Sequence, residues 1–485
     1  MSNALPSDYI SPATKLLLSS AAQNATGYKA LVCIFLFGAN DSHNTVVPYD
    51  GPNRALYETA RPYGVRVGLS EVASTILTGT DPVWALNPVM AGFKERWDEG
   101  NLAVVRDVGI LNKPTSKTQY LSGGPEYKPD RLFAHNVQQV SVQAAVPFKA
   151  LPNTGWFGRT SNLIDEIYNP TATIGSSTIS SSGTATQLGS YGTKISSVYP
   201  PVVIGAGNAR GSNSTDFYNA RDLFYHKNGL PKFDRNIMHN AFRDIFRNSL
   251  NSQEDLNANV TSWDPLDGGV GAQIEAVFTA ASALISSTTL TTPDPTTTSG
   301  VITGTSLRAT SFLTTIKNIA KIIYSQGVTG LDQSRQMMFA AMGNYDHHSN
   351  LRVNHDAHLA TLDISLNALN DALILMGMQD KVTIFTETDF ARTFRSNGTY
   401  GTDHAWAGHN FVVGGAVQGG VYGPEPDYTL GGSKDISTLG RFVPTFSYEQ
   451  YYGTLLKWFD VPPELIPLVL PALPLFSPAD IGFMG

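Results

Sequence analysis

The stretch Lys29–Phe37 reads KALVCIFLF, an unbroken apolar run that ends at Gly38-Ala39-Asn40-Asp41. Apolar residues without polar alternation predict a strand buried on both faces, as in a parallel sheet, with a polar loop at its carboxyl end. Leu102–Val108, Pro201–Ile204, Gln336–Met342 and Val382–Thr386 share the pattern. Between these runs the period changes. From about His355 to Met378, the residues Leu359, Leu362, Leu366, Leu369, Leu373 and Met376 recur at alternating intervals of three and four, which is one face of a helix. Further helices are predicted at Ala272–Ser287, Leu313–Ser325 and Tyr448–Phe459, the last closed by Pro462-Pro463. Strands alternating with helices predict an α/β layered fold. Two Ser/Thr/Gly-rich tracts, about Ser176–Ser190 and Ser286–Thr305, read as surface loops, with a lid as the lesser reading. Residues 1–27 read as a leader or extended N-terminal segment. Residues 28–485 read as the α/β domain, with an insertion or subdomain around 160–310.

Composition narrows the function classes. Apolar residues make up 42% of the 485 and charged residues 15%, well below the ~25% charged share of ordinary soluble domains. Such a chain can bury a large core and is not globally disordered. Basic residues number 33 against 40 acidic, for a net charge of −7, and no basic block stands out, which argues against a nucleic-acid partner. The one cysteine, Cys33, excludes a disulfide within the chain and a cysteine-rich zinc module. The sequence contains no unbroken run of 18 apolar residues, so no membrane span is expected. The short apolar stretch at Leu16–Leu18 is not preceded by a twin arginine, so a cytoplasmic chain and an exported chain with its signal trimmed both fit.

The candidate chemistry lies in histidines and acids that follow strands. Eight of the ten histidines fall in four neighbourhoods: His43; His135; His347, His348, His355 and His358; and His404 with His409. Asp41, Asp346 and Asp403 lie in three of them. Ligands in open α/β sheets bind at the carboxyl ends of strands, where separate loops converge. Gly401–His409 offers Asp403, His404 and His409, a carboxylate and two imidazoles suited to zinc, manganese or iron. Asp346 and His348 are two apart and share a side of an extended segment. Asp41 follows the first strand, where a carboxylate serves equally as metal anchor or helix cap. These six residues match two divalent ions with three protein ligands each, the arrangement that clamps a displacement at phosphorus. Ser42 or Thr45, beside Asp41, supplies a candidate attacking hydroxyl. Arg392 is either a fork for two anionic oxygens or a salt-bridge partner of Asp389. Arg159 is a weaker anion-binding candidate, and Asn40 an oxyanion donor or a turn residue. His355 and His358 are capping residues or ligands of a further metal. His226 and His239 read as structural.

The motifs together resemble a bacterial family, domain of unknown function 1501. They are Phe37–Asp41 with Asn44–Pro48, Phe133–Asn136 with Gln138 and Gln139, Gly155–Arg159, Tyr345–His348, Phe390–Thr393, Gly401–His409 leading into Gly414–Val417, and the ending Tyr451–Phe459 with Phe476 and Phe483. The resemblance runs over about residues 28 to 485. It implies membership of the alkaline-phosphatase-like superfamily, and with it a three-layer α/β/α sandwich with a mostly parallel sheet and metals at its carboxyl edge. It implies one metal on Asp346, His348 and His409, and another on Asp41, Asp403 and His404, the ions being Zn, Mn, Fe or Ca. It also implies a periplasmic or extracellular location.

Three departures bear on activity. No Cys/Ser-x-Pro-x-Arg motif is present, which disfavours aldehyde-bearing sulfatases. Ala134 precedes His135 where relatives often carry Ser, and Ala391 follows Phe390 where Gly is more usual. If that Ser is the nucleophile, this chain turns over simple aryl phosphates weakly, with His135 left to act on a neighbouring water. The leading expectation is a metal-dependent hydrolase of phosphate or sulfate esters acting on an anionic small molecule or glycan. The alternatives are a non-catalytic surface or carbohydrate-binding protein, with Trp156 and Trp406 stacking on sugars, and a metal-dependent glycan-modifying lyase.

Overall fold

The structure, a computed structural model, describes residues 11–25, 27–146, 155–169, 177–181, 202–205, 269–326 and 333–485. It is a mixed α/β protein built on a mostly parallel sheet. The strand order is Gly420–Tyr422, Leu102–Gly109, Gly408–Val413, Val382–Thr388, Lys29–Leu36, Arg335–Met342, Ser177–Ser181 and Val202–Gly205, with Phe446–Ser447 also paired to Leu102–Gly109. Gly408–Val413 runs antiparallel to both neighbours, and the other pairings are parallel.

Lys29–Leu36 is central, and its alternating side chains divide the interior in two. Ala30, Val32, Ile34 and Leu36 join a core with the helices Val270–Ser287, Phe312–Tyr324 and Leu351–Leu375. Leu31, Cys33, Phe35 and Phe37 join a second core with the helices Trp156–Tyr168 and Tyr448–Trp458. Burial of each such aliphatic or aromatic side chain contributes roughly 1.5–3 kcal/mol, so neither face can be left to water. This explains why the strand carries no polar alternation. The Tyr448–Trp458 helix opens on a capping box, in which Ser447 Oγ accepts from Gln450 N and the Gln450 side chain accepts from Ser447 N.

Several expectations change. The tract around Ser286–Thr305 is not a loop: Thr289–Pro293 and Val301–Ser306 pair as an antiparallel hairpin, as their β-branched residues favour. Within the other tract, Ser177–Ser181 lies between two strands of the central sheet. Its remaining residues, the interval 206–268 inside the expected insertion, and His226 and His239 fall outside the described residues. In the expected leader, Pro12–Asn24 is a helix packed on Trp156–Tyr168 through buried Leu18, with Lys15 paired to Glu166. The helix Val270–Ser287 is long and apolar enough, by length and composition, to cross a membrane, and here it packs against Leu351–Leu375.

Lys29–Leu36, Arg335–Met342 and Val382–Thr388 are mutually aligned, so their following loops emerge at one edge. The antiparallel strand Gly408–Val413 begins at that same edge. Residues 38–45, 343–350 and 389–407 are thereby gathered together.

Candidate metal centre

Two glycines allow these loops to touch. Gly38 has φ +103, and a Cβ there would stand 2.6 Å from Asp346 N. A Cβ on Gly401 would stand 2.1 Å from the His348 carbonyl carbon. Any larger residue at either place would push apart the segments that carry Asp346–His348 and Asp403–His404. Backbone bonds complete the join: Tyr345 N donates to Phe37 O, Thr402 N to His347 O, and Thr393 N to Asp403 O.

Three side chains then meet, and a fourth, His348, lies against two of them. His404 Nε2 lies 3.1 Å from His135 Nε2 and 3.0 Å from His348 Nε2. Asp346 Oδ1 lies 3.0 Å from His348 Nε2, 3.3 Å from His404 Nε2 and 3.4 Å from His135 Nε2. Each imidazole spends its other nitrogen elsewhere. His135 Nδ1 faces Asp389 Oδ2 at 2.6 Å, His348 Nδ1 faces Asp403 Oδ1 at 3.0 Å, and His404 Nδ1 faces the Phe133 carbonyl at 2.9 Å. Those partners can only accept, so each Nδ1 carries a proton, and a neutral ring turns the lone pair of its Nε2 toward the shared point. Lone pairs at such distances repel unless a cation or proton lies between them. Bonds of 2.0–2.1 Å to a tetrahedral ion would set ligand atoms roughly 3.3 Å apart, close to the spacing among His135 Nε2, Asp346 Oδ1 and His404 Nε2, the three that together could hold an ion, while His348 Nε2 borders them at Asp346 and His404. A carboxylate or carbonyl behind each ligating imidazole is the usual support of a metal site.

The charges agree. Asp346, Asp389 and Asp403 contribute three negative charges to the cluster, and Arg392, bonded to Asp346 Oδ1, contributes one positive. Among these residues the carboxylates outnumber the guanidinium, a balance that favours a cation. Burial alone would raise the Asp346 pKa, but the Arg392 guanidinium acts downward and it ends below the usual carboxylate range. Burial holds the His404 pKa down. At His135 burial also acts downward, but the hydrogen bond and charge of Asp389 outweigh it and the pKa ends raised. The side chains of Asp346 and His348 are 43% and 46% exposed, so solvent reaches the centre.

The fold thus brings together His135, Asp346, His348 and His404, with Asp403 behind His348. This is not the grouping into two triplets expected from the sequence. Asp41 is wholly buried: its oxygens receive Arg61 Nη2, Asn44 N and Thr402 Oγ1, so no lone pair faces the cluster. His409 lies on a strand rather than a loop. Its Nδ1 accepts from Asp107 N at 3.2 Å and its Nε2 meets the Tyr428 hydroxyl at 2.7 Å, so both nitrogens are engaged away from the centre.

Ser42 and Thr45 are buried in the turn after Asp41. The Thr45 hydroxyl is bonded to Asp41 O, and Ser42 Oγ lies against Gly408. Neither is in contact with the cluster. Arg392 is fully buried and donates to Ala39 O, Thr402 O, Gly38 O and Asp346. It holds Asp346 in place, and neither a free fork nor a pairing with Asp389 is seen. Arg159 likewise donates to Val469 O and Ala144 O. Asn40 Oδ1 accepts from Thr45 Oγ1 and faces His355 Nε2, and His358 Nδ1 donates to Asn354 O. Trp156 and Trp406 are core residues.

Sequence reasoning missed Asp389 as the support of His135, and it missed Arg61 and Arg441. The signal for Asp389 was its place one residue past the Val382–Thr388 strand. Arg441 is half-buried. Its Nε donates to His404 O at 2.8 Å, and its guanidinium lies 4.8 Å from the Phe133 ring centroid.

Residues 331–445 match a family described as protein of unknown function (DUF1501). No curated protein matches the chain. The matched segment contains Asp346, His348, Asp389, Arg392, Asp403 and His404, and lacks His135.

Proposed function

We propose that the chain is a metal-dependent hydrolase of phosphate or sulfate esters, on a three-layer α/β/α sandwich of the alkaline-phosphatase-like kind. One observation carries the reading: His135 Nε2, His404 Nε2 and Asp346 Oδ1 face one another, with His348 Nε2 against the last two, while each Nδ1 is tied to a separate acceptor. With His348 beside them, His135, Asp346 and His404 would hold the ion, a borderline divalent metal such as zinc, manganese or iron. When bound, such an ion polarises ester oxygens and makes a water acidic near neutral pH.

The chain's own residues do the rest. Asp389, Asp403 and the Phe133 carbonyl hold the three imidazoles in one tautomer. Arg392 fixes Asp346 and leaves the exposed edge of the cluster open to an ester. Arg441 supplies the guanidinium for an anionic oxygen, because only its Nε is hydrogen-bonded among the described residues. With Ala at 134 and with Ser42 and Thr45 buried elsewhere, the attacker is water. The test compares metal-loaded protein, chelated protein and His404→Ala on a panel of aryl phosphate and aryl sulfate esters. Turnover by the loaded protein alone supports the reading. Equal rates in all three, or no turnover of either ester class, contradict it.

A further inference from the structure

Arg61 ends the helix Gly51–Ala60, and its side chain is wholly buried. Its guanidinium is surrounded by oxygen atoms. Nη2 reaches Asp41 Oδ1, Asp41 Oδ2 and Thr393 O, each at 3.0 Å. Nη1 reaches Asn44 Oδ1 at 2.5 Å, and Nε reaches Phe394 O at 2.8 Å. One carboxylate, one side-chain amide and two carbonyls make a donor set of the kind that holds a hard cation. Here the cation is covalently tethered and cannot be exchanged or chelated.

The cage is joined to the candidate metal centre through short links. Thr393, whose carbonyl Arg61 holds, exchanges two bonds with Asp403: Thr393 N to Asp403 O, and Asp403 N to Thr393 Oγ1. Asp403 in turn receives His348 Nδ1. On the other side, Asp41 Oδ2 receives the hydroxyl of Thr402, and Thr402 N donates to His347 O. Arg61 and Asp41 therefore grip both segments that converge on the cluster.

We propose that Arg61 is a positioning residue that serves as a fixed internal cation: it neutralises Asp41 and clamps the 393–394 and 402–404 segments, so that the centre takes one exchangeable metal ion and Asp41 takes none. This rests on the metal reading above.

The test is titration of the full-length protein with Zn2+, read as affinity and stoichiometry, with the visible spectrum of the Co2+ form as a report on ligand geometry. Wild type should bind one ion. Arg61→Ala should bind at least tenfold more weakly, the loss typical when a support behind a metal ligand is removed, with an altered Co2+ spectrum. A low, non-denaturing concentration of guanidinium should restore both, and sodium chloride at equal ionic strength should not. Affinity within twofold of wild type with an unchanged spectrum overturns the inference, as does a loss that guanidinium fails to restore. If Arg61→Ala does not fold, Arg61→Lys takes its place: it keeps the charge and loses the fork, and unchanged affinity there overturns the inference. Two ions in wild type also overturn it. A wild type that binds no Zn2+ removes the metal reading as well, whereas equal binding by wild type and variant removes this inference alone.

Discussion

His135 Nδ1 lies 2.6 Å from Asp389 Oδ2, and the same oxygen receives Gln139 Nε2 at 2.9 Å and Gly38 N at 3.3 Å. One carboxylate thus orients an imidazole at the start of the helix His135–Ala144 and ties it to the loop after the first strand. Asp389→Asn removes the charge and can turn an N–H toward His135. We predict a roughly 10- to 100-fold loss of Zn2+ affinity with little change in far-UV circular dichroism. Competition titration against a chelator checks this, and an unchanged affinity would separate Asp389 from the metal centre.

A second prediction concerns pH and the core. Glu387 is fully buried, and its Oε2 accepts from the Tyr452 hydroxyl at 2.7 Å. Burial raises its pKa from 4.5 to about 7, with the Tyr452 bond acting downward. The folded chain therefore keeps a proton that the unfolded chain releases. The stability this provides is fully present below pH 4.5 and is lost as pH rises through about 7. At 1.36 kcal/mol per pH unit the loss is at most roughly 3 kcal/mol. Glu387→Gln keeps an acceptor for Tyr452 and cannot ionise, so its melting temperature should fall less between pH 5 and pH 8. Asp363 and Glu449, also buried and raised to about 7, leave part of the slope in place. Identical slopes in the two proteins would contradict the assignment.

Much of the sheet was legible because buried parallel strands need uninterrupted apolar runs. Lys29–Leu36, Arg335–Met342 and Val382–Thr388 appear where such runs stand. The strand Gly408–Val413 was not legible, since Gly408, His409 and Asn410 open it and mask Phe411, Val412 and Val413. The flanking glycines predict a loop ligand at His409, which is a strand residue facing Tyr428. Asp41 shows a different limit. A sequence displays a carboxylate after a strand but not the charge that meets it, and Arg61 lies 20 residues further on. His135, Asp346, His348 and His404 were visible as residue types near strand ends. Their grouping depended on which loops Gly38 and Gly401 allow to touch.

Ala134 gives a third prediction. It is the N-cap of the helix His135–Ala144 and makes no side-chain cap bond. Ala134→Ser supplies an oxygen for a free N–H of the first turn and should stabilise the protein by about 1 kcal/mol, read by urea denaturation. It also places a hydroxyl beside His135. We expect weak turnover of aryl phosphates by the present chain and a faster rate in the Ser variant at equal metal content. A gain in stability with no gain in rate would make residue 134 a capping position only.

The central claim, that one divalent ion sits on His135, Asp346 and His404 with His348 beside them, is tested most directly by metal content. Wild type, His404→Ala and His409→Gln are loaded with Zn2+, dialysed and assayed for metal per folded chain. The account predicts one ion in wild type, one in His409→Gln and none in His404→Ala. Retention of the ion by His404→Ala, or two ions in wild type with one lost in His409→Gln, would contradict it.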